Sequence, residues 1–334
     1  MTDATHDRPL AAALAEAATA AGYAPSVHNT QPWRWRVHPD RLDLFAERGR
    51  QLPGTDPDGR LLMLSCGAAL HHAVTALAAQ GWTARVSRLA EPDQPDLLAT
   101  VTAGGHGPVT AESIRTVQAM EVRHTDRRPV SDQPLPPSTL AAVVAAVGGL
   151  ARLHVLAPDQ VLDVAAAASK AEAAEADDPH IREELAYWTG QAAPAGTGLP
   201  AAVLPDRPAQ TTVPGRDFGQ PGTLPIGPGH DRAATYAVLY GDADEPEGWL
   251  RGGEALSAAW LAATRLGASV VPLSGIVEVA STRQALRRVL SDLGHPYLVL
   301  RLGVADPDHA GPPHTPRIPA ARLVDTSAAR PAGR

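Results

Sequence analysis

Two segments of this chain repeat one pattern, and they constrain its fold more than any other feature. CGAALHHAVTALAAQGW, residues 66–82, aligns without gaps on GGEALSAAWLAATRLGA, residues 252–268. Gly67 coincides with Gly253, and both segments lead into strand-like stretches. A helix and strand recurring at a fixed offset predict an internal duplication of one supersecondary unit. Because alanine and glycine are common in this chain, chance similarity is the alternative.

The pattern along the rest of the chain predicts alternating helices and strands. WRWRV alternates apolar and charged side chains, which predicts a half-buried strand, and the residues after HPD predict its hairpin partner. Predicted helices span residues 10–22, 61–81, 112–122, 138–147, 159–191 and 250–267. Predicted strands span residues 33–37, 41–47, 83–89, 97–104, 152–158, 234–241, 268–273 and 297–305. Residues 192–232 are rich in Gly and Pro without periodicity, which predicts a lid, an arm or disorder.

Composition argues against several classes of function. A net charge of -7 and a pI near 6.0 disfavour binding to nucleic acid or to an anionic membrane. Cys66 is the only cysteine, so neither a disulfide nor a thiolate metal cluster is expected. We recognise no signal peptide and no apolar run of about 18 residues, which predicts a cytoplasmic protein without a membrane span. Lys170 is the only lysine, so side chains that hold an anion must be arginines.

The loop APSVHNTQPWRWRV, residues 24–37, concentrates polar groups between a predicted helix and a predicted strand. Pro25 and Pro32 each prevent a helix from continuing. Asn29 and Gln31 carry amides that donate and accept hydrogen bonds. Taken alone, the loop is best explained as a connection whose amides cap backbone groups.

A second cluster, EVRHTDRRP, spans residues 121–129. In an extended segment, Arg123, Thr125 and Arg127 project to the same side. Two guanidiniums and a hydroxyl that converge on one point make a phosphate clamp. Arg317 in the sequence HTPRIP is a third basic element. A solvated basic loop is the alternative, and it is the commoner origin of an arginine cluster.

Together these motifs resemble the nitroreductase superfamily of FMN proteins. The opening loop is similar to the PSxxNxQPW motif of that family, and RHTDR is similar to the R-x-[ST]-x-[RK] segment that grips the FMN phosphate. VVPLSG resembles the strand end whose backbone amides approach the flavin, and PRIP resembles the C-terminal arginine that contacts the phosphate. The resemblance implies the following cofactor-binding residues: Pro25, Ser26, Asn29, Gln31, Arg123, His124, Thr125, Arg127, Leu273, Ser274, Gly275 and Arg317.

The resemblance also implies what each group does. The arginine segment and Arg317 would neutralise the phosphate, and the opening loop would satisfy the polar edge of the isoalloxazine or the ribityl chain. The backbone amides of Ser274 and Gly275 would face N5 and O4 of the flavin and stabilise negative charge there. The hydride chemistry belongs to the cofactor, so no catalytic side chain and no metal is assigned. The neutral side chain of Ser274 stands where the family commonly has an acidic residue.

The order of the motifs implies a fused chain. In typical family members the arginine motif precedes PSxxNxQPW, and two subunits share each flavin. Here the two motifs occur once each in the opposite order, an arrangement that, with PGRDFG, resembles the Acg-like branch. The implied fold is an α+β, nitroreductase-like pseudo-dimer with an N-terminal half at residues 1–110, a C-terminal half at residues 111–334 and a lid at residues 192–232. Since both partners then lie in one polypeptide, a monomer is expected.

Two functions agree with these motifs. The first is an FMN oxidoreductase that transfers hydride from NAD(P)H to a nitro, quinone or related acceptor. The alternative is a non-catalytic FMN-binding protein whose lid excludes substrates from the flavin. The residues identify neither the acceptor nor the choice between NADH and NADPH.

Overall fold

Helices and strands alternate along the chain and form two sheets. The structure, a computed structural model, describes residues 10–190, 194–227, 229–305 and 311–329. The helices are α1 (Leu10–Ala20), α2 (Arg60–Ala79), α3 (Ala111–Val122), α4 (Pro137–Ala146), α5 (Pro158–Asp177), α6 (Pro179–Thr189), α7 (Pro246–Arg265), α8 (Gly275–Glu278), α9 (Ala280–Val289) and α10 (Ala320–Leu323). The strands are β1 (Trp33–Val37), β2 (Arg41–Ala46), β3 (Trp82–Arg88), β4 (Leu97–His106), β5 (Arg152–Val155), β6 (Thr235–Gly241), β7 (Ala268–Leu273), β8 (His295–Val304) and β9 (Val324–Asp325). The fold class is therefore α+β.

The first sheet has the strand order β3-β4-β2-β1-β9. Trp33, Trp35 and Val37 of β1 are buried while the arginines between them are exposed, as the alternating sequence predicts. β1 pairs antiparallel with β2 and parallel with β9, where Trp35 lies opposite Val324. The C-terminal tail thus completes the sheet that the N-terminal half begins.

The second sheet has the strand order β5-β6-β8-β7, and all of its neighbouring strands are antiparallel. The central strands β6 and β8 are buried over most of their length, so helices cover both faces. β7 ends at Leu273, and the chain turns at Ser274 into the short helix α8. This turn carries the backbone groups predicted to face a flavin.

The two helices of the repeated pattern, α2 and α7, pack directly against each other. A Cβ added to Gly67 would lie 2.0 Å from the carbonyl oxygen of Leu250, and one added to Gly253 would lie 2.0 Å from that of Leu64. Each glycine therefore contacts the residue three positions before its counterpart. This reciprocal contact is the pattern that a two-fold related pair of helices makes. It supports the duplication, which remains a prediction.

Most predicted elements are confirmed, and two differences have local causes. The helix predicted over residues 159–191 is two helices, because Pro179 has no N–H and Asp178 caps the second helix by accepting from the His180 N–H at 2.8 Å. Residue 191 lies outside the described residues, as do residues 192, 193 and 228 of the predicted lid. Strand β9 was not predicted, since two residues are too few to show a period.

One helix corrects the expectation that no segment is apolar enough to cross a membrane. By length and composition α2 meets that criterion, but 78% of its apolar window is buried within the protein. Helices from the core of a protein meet the same criterion.

We expect Gly67→Ala to lower the free energy of unfolding by about 1–3 kcal/mol, because the new methyl group would force α2 away from the backbone of α7. Gly149→Ala is the matched control, since nothing lies within 4 Å of a Cβ at that position. Urea unfolding followed by circular dichroism measures both variants. Equal stability of the two variants would contradict the close contact.

Candidate functional site

A cavity of about 710 Å³ is lined by residues from both halves of the chain and from residues 199–221 of the predicted lid. Its size falls in the range of small-molecule sites. Eleven of the twelve predicted site residues line it: Pro25, Ser26, Asn29, Arg123, His124, Thr125, Arg127, Leu273, Ser274, Gly275 and Arg317. Gln31 does not. We call residues 194–227 the cover segment.

The opening loop holds an unusual backbone conformation beside this cavity. His28, Asn29 and Gln31 have φ angles of 45°, 57° and 49°, a region that non-glycine residues rarely occupy. Such conformations cost about 1–3 kcal/mol each and persist only where the surroundings enforce them. The hydroxyl of Ser26 contributes by accepting from the Gln31 N–H at 2.9 Å, and Ser65 of α2 accepts from the Val27 N–H at 3.2 Å.

The Gln31 side chain stabilises the opening loop although it does not line the cavity. It is fully buried, its Nε2 donates to the Gly196 carbonyl at 2.7 Å, and its Oε1 accepts from the Ile318 N–H at 3.0 Å. These contacts join the loop to the cover segment and to the C-terminal tail. The resemblance implied that Gln31 would face the flavin or ribityl chain, and the structure instead gives its amide to backbone groups of this chain.

Asn29 makes a similar connection but also reaches the cavity. Its Nδ2 donates to the carbonyls of Pro316 at 2.9 Å and Gly198 at 3.1 Å, and its Oδ1 accepts from Arg317 Nη1 at 2.8 Å. Asn29 therefore orients the guanidinium of Arg317 toward the loop.

Three arginines, Arg123, Arg127 and Arg317, line the cavity without a carboxylate partner among the described residues, and we call the wall that they form the basic end. Arg123 and Arg317 both donate to the carbonyl of Tyr23 at 3.3 Å, so their guanidiniums converge on one point. The Nε atoms of both are buried and have no hydrogen-bond partner. Burial, with repulsion from Arg317, lowers the pKa of Arg123 to about 9, and burial lowers the pKa of Arg127 and of Arg317 to about 10. An anion at this end would relieve that penalty.

Neighbouring arginines have structural partners instead. Arg128 pairs with Asp126 at 2.7 Å and does not line the cavity. Arg301 of β8 pairs with Asp231 at 2.8 Å and donates to the carbonyls of Asp126 and Arg128, which fixes the segment that carries Arg123 and Arg127. The separation of Arg128 from the cavity agrees with the alternation predicted for RHTDR.

Aromatic rings that the sequence did not assign to the site lie against the cationic groups. The guanidinium of Arg123 lies 4.5 Å from the ring centroid of Trp260 on α7, and that of Arg127 lies 5.3 Å from the ring centroid of Phe218. Phe218 also meets the His28 ring edge to face at 6.2 Å. Phe218 belongs to PGRDFG, so the only sequence signal for it was the resemblance of that segment to one branch of the family.

Acidic groups lie in the cavity wall beside Gly275, which we call the acidic end. A Cβ added there would lie 2.8 Å from Glu175 Oε1 and 3.1 Å from Arg216 Nη2. Only glycine leaves room for these side chains. Arg216 belongs, like Phe218, to PGRDFG, whereas Glu175 falls in no motif and no sequence pattern singled it out.

Comparison with known proteins identifies the family. The chain is 40% identical over 314 residues to "Putative NAD(P)H nitroreductase Rv3131" of Mycobacterium tuberculosis, covering 92% of this chain and 89% of that protein. It is 35% identical over 302 residues to "Putative NAD(P)H nitroreductase acg" of the same organism, covering 89% of this chain and 90% of that protein. The chain belongs to the nitroreductase family, in its acg-like branch, which confirms the resemblance stated from the sequence.

Solved structures give more distant similarities. The FMN-dependent nitroreductase NfnB from Mycobacterium smegmatis, in complex with NADPH, is 16% identical with a TM-score of 0.40, covering 65% of this chain and 99% of that one. A nitroreductase with bound FMN from Bacteroides fragilis is 14% identical with a TM-score of 0.35, covering 58% of this chain and 90% of that one. No protein-family model matches the chain.

We expect Gln31→Ala to lower the free energy of unfolding by about 2 kcal/mol, because it leaves two backbone groups without their partners. Limited proteolysis should then cleave the cover segment faster than in the parent protein. Gln133→Ala, at an exposed glutamine, is the control and should leave both measurements unchanged. A Gln31 variant as stable and as resistant as the control would refute the bracing role.

Proposed function

We propose that this protein is an FMN-binding oxidoreductase that passes hydride from NAD(P)H to a nitro, quinone or related acceptor. The observation that carries the proposal is a set of three buried guanidiniums that have no carboxylate partner in the described part of the chain and that line the same cavity as the PSVHN loop. An enclosed cation without a counter-ion destabilises the folded protein. A phosphate group supplies the missing charge. The names of the 35–40% identical relatives support the choice of NAD(P)H and of a nitroreductase.

The residues at the basic end fit a phosphate. The free Nε atoms of Arg123 and Arg317 are donors that lack an acceptor, and Thr125 lies beside them on the cavity wall. Arg127 has one neutral partner, the carbonyl of Val203 at 3.2 Å, so its charge is also available. These groups would bind and orient the phosphate of FMN.

The residues at the other end fit the flavin ring. When bound, FMN supplies the hydride transfer, and the protein supplies position and electrostatics. Ser274 and Gly275 present backbone at the end of β7, and the space that a side chain at Gly275 would fill is taken by Glu175 and Arg216. Leu273 is buried and fixes where that backbone lies.

The proposal extends to the assembly and to the place of action. The cavity draws on residues from both proposed halves, 1–110 and 111–334, so one chain contains every element of the site. We propose that the working unit is a monomer in the cytoplasm.

We expect the double variant Arg123→Ala with Arg127→Ala to lose FMN during purification. Two charge-assisted contacts are removed at about 1.5–3 kcal/mol each, so the dissociation constant should rise at least about 100-fold. Absorbance of the purified protein near 450 nm and fluorescence titration with FMN measure the effect. Arg152→Ala, which removes an arginine whose side chain is 55% exposed, is the control. A double variant that retains stoichiometric flavin would overturn the phosphate assignment.

One observation favours the second candidate, a protein that sequesters FMN. The cover segment contacts Arg127, because the Phe218 ring lies 5.3 Å from its guanidinium and the Val203 carbonyl accepts its hydrogen bond. The same segment pairs with Glu175 and Glu278 through Arg216. A cover segment held by these contacts would keep a reductant from the flavin.

Anaerobic stopped-flow mixing of the FMN-loaded protein with NADH and with NADPH distinguishes the two functions. If the protein is an oxidoreductase, we expect the flavin absorbance to bleach within seconds after mixing with NADH or with NADPH. Retention of the absorbance with both, while dithionite still reduces the flavin, would establish sequestration instead.

A further inference from the structure

Glu175 is a buried carboxyl group that faces the cavity and that neither motif includes. Glu175 lies near the C-terminal end of α5, and 6% of the residue's surface is exposed. Its Oε1 has no hydrogen-bond partner and lies 2.8 Å from the position that a Cβ on Gly275 would take. The atom therefore points at the end of the cavity where the backbone of Ser274 and Gly275 is presented.

Among the described residues, Arg216 is the cationic side chain that pairs with Glu175, and it also pairs with the carboxylate of Glu278. Arg216 Nη2 lies 3.2 Å from Glu175 Oε1 and 2.5 Å from Glu278 Oε2. All three side chains are at most 8% exposed. One guanidinium balances one carboxylate, so two ionised carboxylates would leave a buried negative charge. The shorter contact assigns the guanidinium to Glu278 and leaves the proton to Glu175.

We propose that Glu175 is a neutral carboxylic acid that donates a hydrogen bond to the ring of bound FMN at the Gly275 end of the cavity. This inference rests on the proposed function. Only the neutral carboxylic acid carries the O–H that donates this hydrogen bond to the ring. FMN binding is therefore coupled to protonation of Glu175. Glu175 is thus a residue that positions the ligand and senses pH.

The charges around Glu175 agree with this protonation state. Burial is the main cause that raises its pKa to about 7; Arg216 of the cover segment opposes this rise, and Glu278 on α8 and Glu172 on α5 add to it. Burial lowers the pKa of Arg216, but Glu278 and Glu175, with a smaller contribution from Glu184 of α6, raise it above its ordinary value, so the guanidinium stays charged.

His28 of the opening loop is also near Arg216, but it brings no charge to this end of the cavity. Burial holds the pKa of His28 well below its ordinary value, so the imidazole is neutral. A ring that covers the carboxyl removes its remaining water, and the pKa of Glu175 should rise again on binding.

The direction of the pH effect follows from that rise. Above a pH of about 7 the free protein must take up a proton to bind FMN, so affinity falls as pH rises. Glu175→Gln keeps the shape and a donor N–H but cannot ionise. Its affinity for FMN should match that of the parent protein at pH 6.5 and exceed it at pH 8.5.

The test is fluorescence titration of the apoprotein with FMN at pH 6.5, 7.5 and 8.5, in the parent protein, Glu175→Gln and Glu172→Gln. We expect the ratio of the parent dissociation constant to that of Glu175→Gln to rise about fivefold across this range. The ionisation of the FMN phosphate changes with pH in the same way for all three proteins, so its effect cancels in the ratio of dissociation constants. Glu172 also lines the cavity, one turn away on the same helix, and its charge raises the pKa of Glu175. Glu172→Gln should therefore bind FMN more weakly than the parent protein at pH 8.5, which is the opposite direction to Glu175→Gln.

A second measurement needs no variant. Calorimetric titration of the parent protein with FMN at pH 7.5, in buffers of different ionisation enthalpy, should show uptake of about half a proton or more per FMN. Proton release or no proton exchange would overturn the inference. A dissociation-constant ratio for Glu175→Gln that stays constant with pH would also overturn it, as would a Glu172→Gln variant that binds FMN more tightly than the parent at pH 8.5, as Glu175→Gln is expected to do. If FMN does not bind the parent protein at any pH, the proposed function itself fails.

Discussion

The contact between α2 and α7 at Gly67 and Gly253 determines where the cavity forms. A side chain at either glycine would meet the backbone of the opposite helix, so the helices approach as closely as two backbones can. The same helices line the cavity with Leu64 and Ser65 from α2 and with Leu256 and Trp260 from α7. Ser65 also holds the Val27 N–H of the opening loop. The packing that joins the two halves therefore also places the residues that would hold a ligand.

The distribution of charge separates structural arginines from those available to a ligand. Arg301 and Arg128 satisfy buried carboxylates and fix the backbone between residues 126 and 128. Arg123, Arg127 and Arg317 have only neutral partners among the described residues, and burial lowers the pKa of each. An arrangement that destabilises the folded chain is common at functional sites, because a bound ligand supplies the missing interaction. This distribution of charge supports the proposed anion site at Arg123, Arg127 and Arg317.

Several features could be predicted because they depend on local order in the sequence. The alternation in WRWRV predicts strand β1, and the alternation in RHTDR predicts that Arg123 and Arg127 lie on the same side of the segment, because alternation fixes side-chain direction. That the loop amides cap backbone groups was one interpretation of the sequence, and Gln31 does so, but its partners Gly196 and Ile318 and the role of Glu175 could not be predicted because the contacting residues lie far along the chain. Glu175 stands in an Ala-rich helix like Glu172, and only the packing of the cover segment and α8 distinguishes the two. The break at Pro179 was available from the sequence, since proline starts helices more readily than it continues them.

The cover segment contacts both the arginine motif and the turn at Gly275. Phe218 and Val203 contact Arg127, and Arg216 pairs with Glu175 and Glu278. An anion that binds Arg127 would compete with the first contact, and a proton on Glu175 would weaken the second. Both proposed functions use these residues, and we propose that they differ in how firmly the two contacts hold. Under either proposal, the free energy of these contacts sets how often the cavity is open to a reductant.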